Sequence, residues 1–292
     1  MNKLPAIGLI GAGTMGGGMG RNLLKADIPL IVFDLKTENV EALVANSAIA
    51  GTSARDVVQK SDIILTSLPT SGTFVKVAES ILPDLTDDKI LMDVGTTEVP
   101  ETKRIGALLR NQGADLIDAP VSGGGRGADD GTLAIMVGGS KPAVERCKPI
   151  FDAIGGNIGH LGDIGAGQLG KAVNQIAMGV GLAAFSEAMF LGVQAGLDPQ
   201  KIWDTLSTAG AAKTTFESAA RQVIGDRVEK QDFKLRELPY FIAQAKHEGI
   251  NLPLTEALDA FASQGENRTT DPLGIPTPSF WYELYHRKRD TK

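Results

Sequence analysis

"IGLIGAGTMGGGMGRNLL", residues 7–24, decides how the first half of this chain folds. A short apolar run, Ile7 to Ile10, stops at Gly11. Gly11, Gly13 and Gly16 then fall in the spacing G-x-G-x-x-G, and a helix-compatible stretch follows. In a chain with 35 glycines the spacing alone is weak evidence. A strand before it and a helix after it make it a dinucleotide-binding turn. Gly11 permits the tight turn, Gly13 lets the backbone approach a pyrophosphate, and Gly16 lets the helix pack close to the strand. The helix N-terminus then offers unpaired N–H groups to the phosphate charge. Ala12, Thr14 and Met15 complete the candidate cofactor loop.

The next strand, "LIVFD", ends at Asp34. A carboxylate there can accept both ribose hydroxyls of an adenosine and repels a 2′-phosphate, so NAD is favoured over NADP. Lys36 nearby leaves NADP open, and "DLKTENV" also offers Asp34 as a helix N-cap.

Further strands are expected at 62–68, 89–94, 114–121 and 132–139, with helices at 15–26, 40–46 and 101–113. The strand runs are continuously apolar rather than alternating, which fits strands covered on both faces in a doubly wound, mostly parallel sheet. Near residue 160 the pattern changes to helical periodicity. "GDIGAGQ" marks the boundary between a Rossmann domain, residues 1–164, and an all-α domain, residues 165–292. The second domain opens on a helix longer than about 25 residues, or roughly 38 Å. Other helices are expected at 199–209, 214–225, 233–249 and 253–263, and an irregular segment at 265–279.

Composition excludes several classes of function. The chain has 292 residues, 42% hydrophobic and 22% charged, with a net charge of −6. No basic field draws it to nucleic acid, and the largest basic cluster is the tail "HRKR" at 286–289. One cysteine, Cys147, rules out an intrachain disulfide, and the three histidines and one cysteine have no zinc spacing. The long helix carries Lys171, Asn174, Gln175 and Glu187, which a lipid-facing helix would find costly. No secretory segment is expected at the N-terminus, so a cytoplasmic location is the default.

Four segments, in order, resemble the β-hydroxyacid dehydrogenase family, which includes 3-hydroxyisobutyrate dehydrogenase and tartronate semialdehyde reductase and is more distantly similar to 6-phosphogluconate dehydrogenase. They are the glycine loop with Met15, "DVGTTEVP" (93–100), "DAPVSGG" (118–124) and "GAGQLGKAVNQ" (165–175). The resemblance spans roughly residues 4 to 264. It implies oxidation of a small 3-hydroxy acid, or reduction of its semialdehyde, by a homodimer or homotetramer. It also implies cofactor contacts at Leu68, Pro69, Thr96 and Arg236, and substrate contacts at Asn174 and Gln175. Four places depart from the family pattern. Gly95 stands where Ser is usual, Gln175 where Asn is usual, Arg236-Glu237 where Lys-Asp is usual, and the ending "TPSFWYELYHRKRDTK" is not that of typical members.

The reaction needs a base for the hydroxyl proton, and no histidine lies in these segments. Lys171 can serve if desolvation brings its amine from about 10.4 toward neutrality. The other reading is a snorkelling or helix-capping lysine. "SGG", Ser122 with Gly123 and Gly124, can form a receptor of backbone N–H groups and a hydroxyl for the substrate carboxylate. Arg126 is more readily a solvated arginine, and Tyr240 with Phe280, Trp281 and Tyr282 more readily core or subunit contacts than ligand contacts. Rival readings are an imine reductase or decarboxylating dehydrogenase of related fold, and a cofactor-binding regulatory protein without catalysis.

Overall fold

A computed structural model of the chain describes residues 5–194, 196–206, 237–263, 268–270 and 276–278. The chain divides into two compact units, Met1–Lys171 and Ala172–Lys292.

The first unit begins with β1 (Ile7–Ile10), α1 (Thr14–Lys25), β2 (Leu30–Phe33), α2 (Thr37–Val44), β3 (Ile49–Ala50) and α3 (Ala54–Gln59). There follow β4 (Ile63–Thr66), α4 (Ser71–Ile81), β5 (Ile90–Asp93), α5 (Val99–Arg110) and β6 (Asp115–Asp118). The rest of the sheet comes from β7 (Val121–Ser122), α6 (Gly124–Asp130), β8 (Leu133–Gly138), α7 (Lys141–Arg146), α8 (Lys148–Ile154) and β9 (Gly155–Gly162). The strands lie in the order β3-β2-β1-β4-β5-β6-β8-β7, with β9 also paired to β8. From β3 to β6 every pairing is parallel; β8 runs antiparallel to β6 and β7, and β9 parallel to β8.

Why the strands read as unbroken apolar runs is visible in the packing. Within β4, Ile63 and Leu65 enter one buried cluster and Ile64 the other; within β5, Ile90 and Met92 oppose Leu91 in the same way. Met19 and Leu23 of α1 cover the first face, and Phe74 of α4 with Leu109 of α5 the second. Each residue of β4 and β5 is therefore buried whichever way it points.

Several elements differ from expectation. β9, "GGNIGHLG", is a strand although glycine-rich; its pairing with β8 supplies the bonds that side-chain propensity does not. Asp34 is not the N-cap of α2, which is Lys36. In the second unit, α9 (Ala166–Gln194) runs 29 residues and so begins in the first. It is followed by α10 (Pro199–Leu206), α11 (Leu238–His247) and α12 (Pro253–Ser263). Leu238 and Phe241 pack with Ala172, joined by Ile176, Tyr240 and Leu258, so Tyr240 is a core contact. The 265–279 segment, expected to be irregular, contains an antiparallel pair, β10 (Arg268–Thr270) with β11 (Pro276–Pro278), where Thr269 faces Thr277. The expected helix at 214–225, the aromatic cluster Phe280–Tyr282 and the basic tail lie outside the described residues, as does Arg236. No described helix is long and apolar enough to cross a membrane.

Candidate active site

The strand order reverses at β1, which has β2 on one side and β4 on the other. Ligands of open α/β sheets bind at such a switch point, beyond the carboxyl ends of the strands. The glycine loop lies there. Gly11 has φ +93°, and a Cβ on it would overlap the Ser67 carbonyl after β4. A Cβ on Gly16 would overlap the Gly11 carbonyl oxygen, whereas one on Gly13 would meet nothing within 4 Å. Two glycines are thus demanded by the protein itself. The third leaves open space at the start of α1, whose N-cap, Gly13, has no side-chain hydrogen bond. That is the cradle a pyrophosphate requires. Asp34 stands beside it: the Ala12 N–H donates to Oδ2 at 2.6 Å and the Lys36 N–H to Oδ1 at 2.8 Å. The carboxylate is oriented from within the loop and keeps acceptor capacity for a ribose. These residues fit a dinucleotide. Leu68 reaches both sides of this rim, its side chain lying 3.2 Å from a Cβ on Gly11 and its carbonyl 3.2 Å from one on Gly95. Pro69 is exposed next to it and Thr96 half-buried.

The "DAPVSGG" segment forms the end of β6, all of β7 and the start of α6. Gly123, at φ +136°, precedes α6, and Gly124 is its first residue, so the glycines open a helix rather than a loop. Backbone contact with α1 holds this helix. A Cβ on Gly18 would lie 2.8 Å from Ala128, and one on Gly125 2.9 Å from the Thr14 side chain. Buried Asn22 donates to the carbonyls of Ala128 at 2.7 Å and Asp129 at 3.1 Å, pairing the last carbonyls of α6, and Arg21 pairs with Asp129. The glycine loop and the "DAPVSGG" segment are thereby fixed to one another. Arg126 is 93% exposed, near Asp130, as a solvated residue.

Lys171 is 2% exposed, and its Nζ donates to the Val121 carbonyl at 2.5 Å. It is not a snorkelling side chain. Its amine lies at the residue preceding Ser122. Asn174 and Gln175 follow on the next turn of α9. The Gln175 Nε2 donates to Glu237 Oε2 at 3.0 Å, both side chains being buried, so two of the departures from the family pattern meet.

Two buried aspartates went unassigned at the sequence level. Asp93 and Asp118 are register partners at the ends of β5 and β6. Asp93 accepts from Thr97 Oγ1 at 2.6 Å, Gly95 N at 3.0 Å and Thr66 Oγ1 at 3.2 Å. Asp118 accepts from the backbone N–H groups of Gly165 and Gln168, each at 2.8 Å. Burial pushes both carboxyls up to about 6, outweighing the hydrogen bonds that act the other way. The Gln168 side chain, 1% exposed, takes the Thr97 N–H at 3.1 Å and donates to the Gly95 carbonyl at 3.0 Å. The only signal for this network in the sequence is a pair of aspartates closing apolar strands.

Comparison with known proteins agrees with the geometry. Residues 6–162 match the NAD binding domain of 6-phosphogluconate dehydrogenase, and residues 165–272 the NAD-binding domain of NADP-dependent 3-hydroxyisobutyrate dehydrogenase. The chain is 35% identical over 262 residues to 2-(hydroxymethyl)glutarate dehydrogenase of Eubacterium barkeri, covering 87% of each. It is 38% identical over 215 residues to an NAD-dependent L-serine dehydrogenase of Pseudomonas aeruginosa, covering 72% of each. In fold it is similar to the solved 3-hydroxyisobutyrate dehydrogenase of Mycobacterium tuberculosis, with TM-score 0.82 and 24% identity over 98% of this chain and 100% of that one. The chain therefore belongs to the β-hydroxyacid dehydrogenase family and is an NAD(P)-dependent oxidoreductase of small hydroxy acids.

Proposed function

We propose that this enzyme oxidises a small 3-hydroxy acid with NAD, or reduces the corresponding semialdehyde, and that Lys171 is its general acid and base. The observation that carries the reading is the buried Lys171 amine at the Val121 carbonyl, one residue before Ser122. When bound, the nicotinamide supplies hydride chemistry at the carbon bearing the hydroxyl. The hydroxyl proton goes to the Lys171 Nζ as the C–O bond becomes a carbonyl; in reverse, the amine returns that proton to the oxygen. The Ser122 hydroxyl and the N–H groups around Gly123 and Gly124 receive the carboxylate without a fixed countercharge. Asn174 and Gln175, one turn beyond Lys171, orient the substrate. Residues 11–16 and Asp34 hold the dinucleotide, with Leu68, Pro69, Thr96 and Arg236 completing its site. On this reading residues 1–164 serve the cofactor and residues 165–292 the substrate and subunit contacts.

The names of the relatives point to acids bearing a hydroxymethyl group, such as serine and 2-(hydroxymethyl)glutarate. Exposed Leu169, Val173 and Met178 along α9 support a second copy of the chain as neighbour, in a homodimer or homotetramer. One buried free thiol, Cys147, suits a reducing compartment, and we place the enzyme in the cytoplasm. The test is NAD reduction over serine, glycerate, 3-hydroxyisobutyrate, 4-hydroxybutyrate and threonate. Lys171→Ala should bind NAD as the parent does and lose about 100- to 10,000-fold in kcat on the best of these. Near-parental turnover in that variant would reject the role.

A further inference from the structure

We propose that Asp118 and Gln168 are positioning residues, which clasp the first turn of α9 to the ends of β5 and β6 and so set where the Lys171 amine lies. This rests on the reading of Lys171 above. The clasp is a pairing of two short segments. Asp118 takes the N–H of Gln168, and three residues further on the Val121 carbonyl takes the amine of Lys171. Residues 118–121 thus hold residues 168–171 at both ends. The side chain of Gln168 ties the same turn to Gly95 and Thr97, which Asp93 holds in turn.

The helix start needs such a hold. "GAGQLGK" is a poor helix initiator, since each interior glycine costs about 1 kcal/mol relative to alanine. The glycines are imposed by the contact. A Cβ on Gly167 would overlap the Asp118 carbonyl and stand 2.9 Å from its Oδ2; one on Gly138 would lie 2.5 Å from Oδ1. The sequence therefore gives up local helix stability to bring backbone against the carboxylate. A carboxylate suits the place because both of its oxygens accept, one for each N–H.

Asp118→Asn keeps one acceptor and aims an NH2 at the other N–H. Gln168→Met keeps the volume and removes both side-chain bonds. Both variants of the full chain are compared with the parent in three measurements. Labelling of Lys171 by acetic anhydride is read by mass spectrometry, with exposed Lys60 and Lys148 as references. The others are kcat and KM on the best substrate of the screen, and NAD affinity. In each variant Lys171 should label at least about tenfold faster while Lys60 and Lys148 do not change, as local opening of one turn requires. kcat should fall about 10- to 100-fold, the scale of a misplacement near 1 Å. NAD affinity and KM should stay within about threefold, which a general loosening of the fold would not allow.

Lys171 labelling within twofold of the parent in a folded variant overturns the proposal. So does faster labelling with unchanged kcat, because the amine's place would then not govern turnover. If Asp118→Asn does not fold, Gln168→Met decides by the same criteria. A normal rate in Lys171→Ala would remove the lysine's chemical role, while labelling would still decide whether Asp118 and Gln168 hold it.

Discussion

Replacing Asp93 with asparagine should stabilise the protein near neutral pH and do so about a third as much at pH 4.5. The carboxyl is 1% exposed, and burial raises it from 3.8 to about 6 against three hydrogen bonds. The folded chain therefore holds this proton more tightly than the unfolded chain. As pH rises from about 4 to 6 the unfolded chain ionises first, so stability falls across that window and is level above it. The displacement corresponds to about 3 kcal/mol as a ceiling, at about 1.4 kcal/mol per pH unit. An asparagine removes the charge and keeps the bonds. Its carbonyl can still accept from Gly95 N, and its NH2 can donate to Thr97 Oγ1, since a hydroxyl accepts as well as donates.

If half the ceiling is realised, Tm at pH 7.5 rises by about 3–6 °C, and at pH 4.5, where the unfolded carboxyl is already largely ionised, by about a third of that. Thermal unfolding by circular dichroism at pH 4.5, 6 and 7.5 measures this. Asp118, also pushed up to about 6 by burial, titrates in the same window; part of its rise comes from the Asp93 charge, so Asp93→Asn relieves it in the same direction. A variant less stable by the same amount at every pH would refute the reasoning, because the hydrogen bonds to the carboxylate would then outweigh its lost hydration.

The glycine loop separates folding from binding. Gly13→Ala, whose Cβ meets nothing, should keep its Tm within about 2 °C and lose at least about tenfold in NAD affinity, whereas Gly16→Ala should cost about 1–3 kcal/mol in unfolding measurements without ligand. Asp34→Ala removes both the ribose acceptor and the tether to Ala12 N; the ratio of NAD to NADP affinity should fall by at least about tenfold, and unchanged selectivity would reject the assignment. Asn22→Ala leaves the last carbonyls of α6 unpaired. Stability should drop by about 1–3 kcal/mol and KM for the acid should rise; an unmoved KM would dissociate α6 from the substrate site.

The legible part of the fold is the part whose stability comes from local burial. Six strands could be read because a strand covered on both faces must be apolar throughout, and "DIILTSL" is such a run. β9 could not, because "GGNIGHLG" is extended by its pairing with β8 and not by its own side chains. α6 was legible only as glycines. It becomes a helix because α1 meets it at Gly18 and caps it with Asn22, a partner 106 residues away from Ala128. The same distinction runs through the site. The cofactor loop is contiguous, so its spacing could be read directly. The roles of Asp118 and Gln168 depend on bonds spanning 47 to 73 residues, which no spacing rule reveals.

The setting of Lys171 is legible in the sequence only in part. In "GAGQLGKAVNQ" the small neighbours read as a dry setting that makes an amine reactive. The amine is indeed buried, but the glycines serve contact first. Gly167 admits the Asp118 backbone and carboxylate, and Gly170 admits the Leu161 side chain. A larger residue at position 167 would push the helix from the sheet and carry the lysine with it. Dryness then follows from closeness. Once the first turn of α9 lies against β6 and β8, no water layer separates the Nζ from the Val121 carbonyl at 2.5 Å. The glycines, the buried aspartate and the lysine are one arrangement, in which local helix stability is given up so that a flexible four-carbon side chain ends at a defined point.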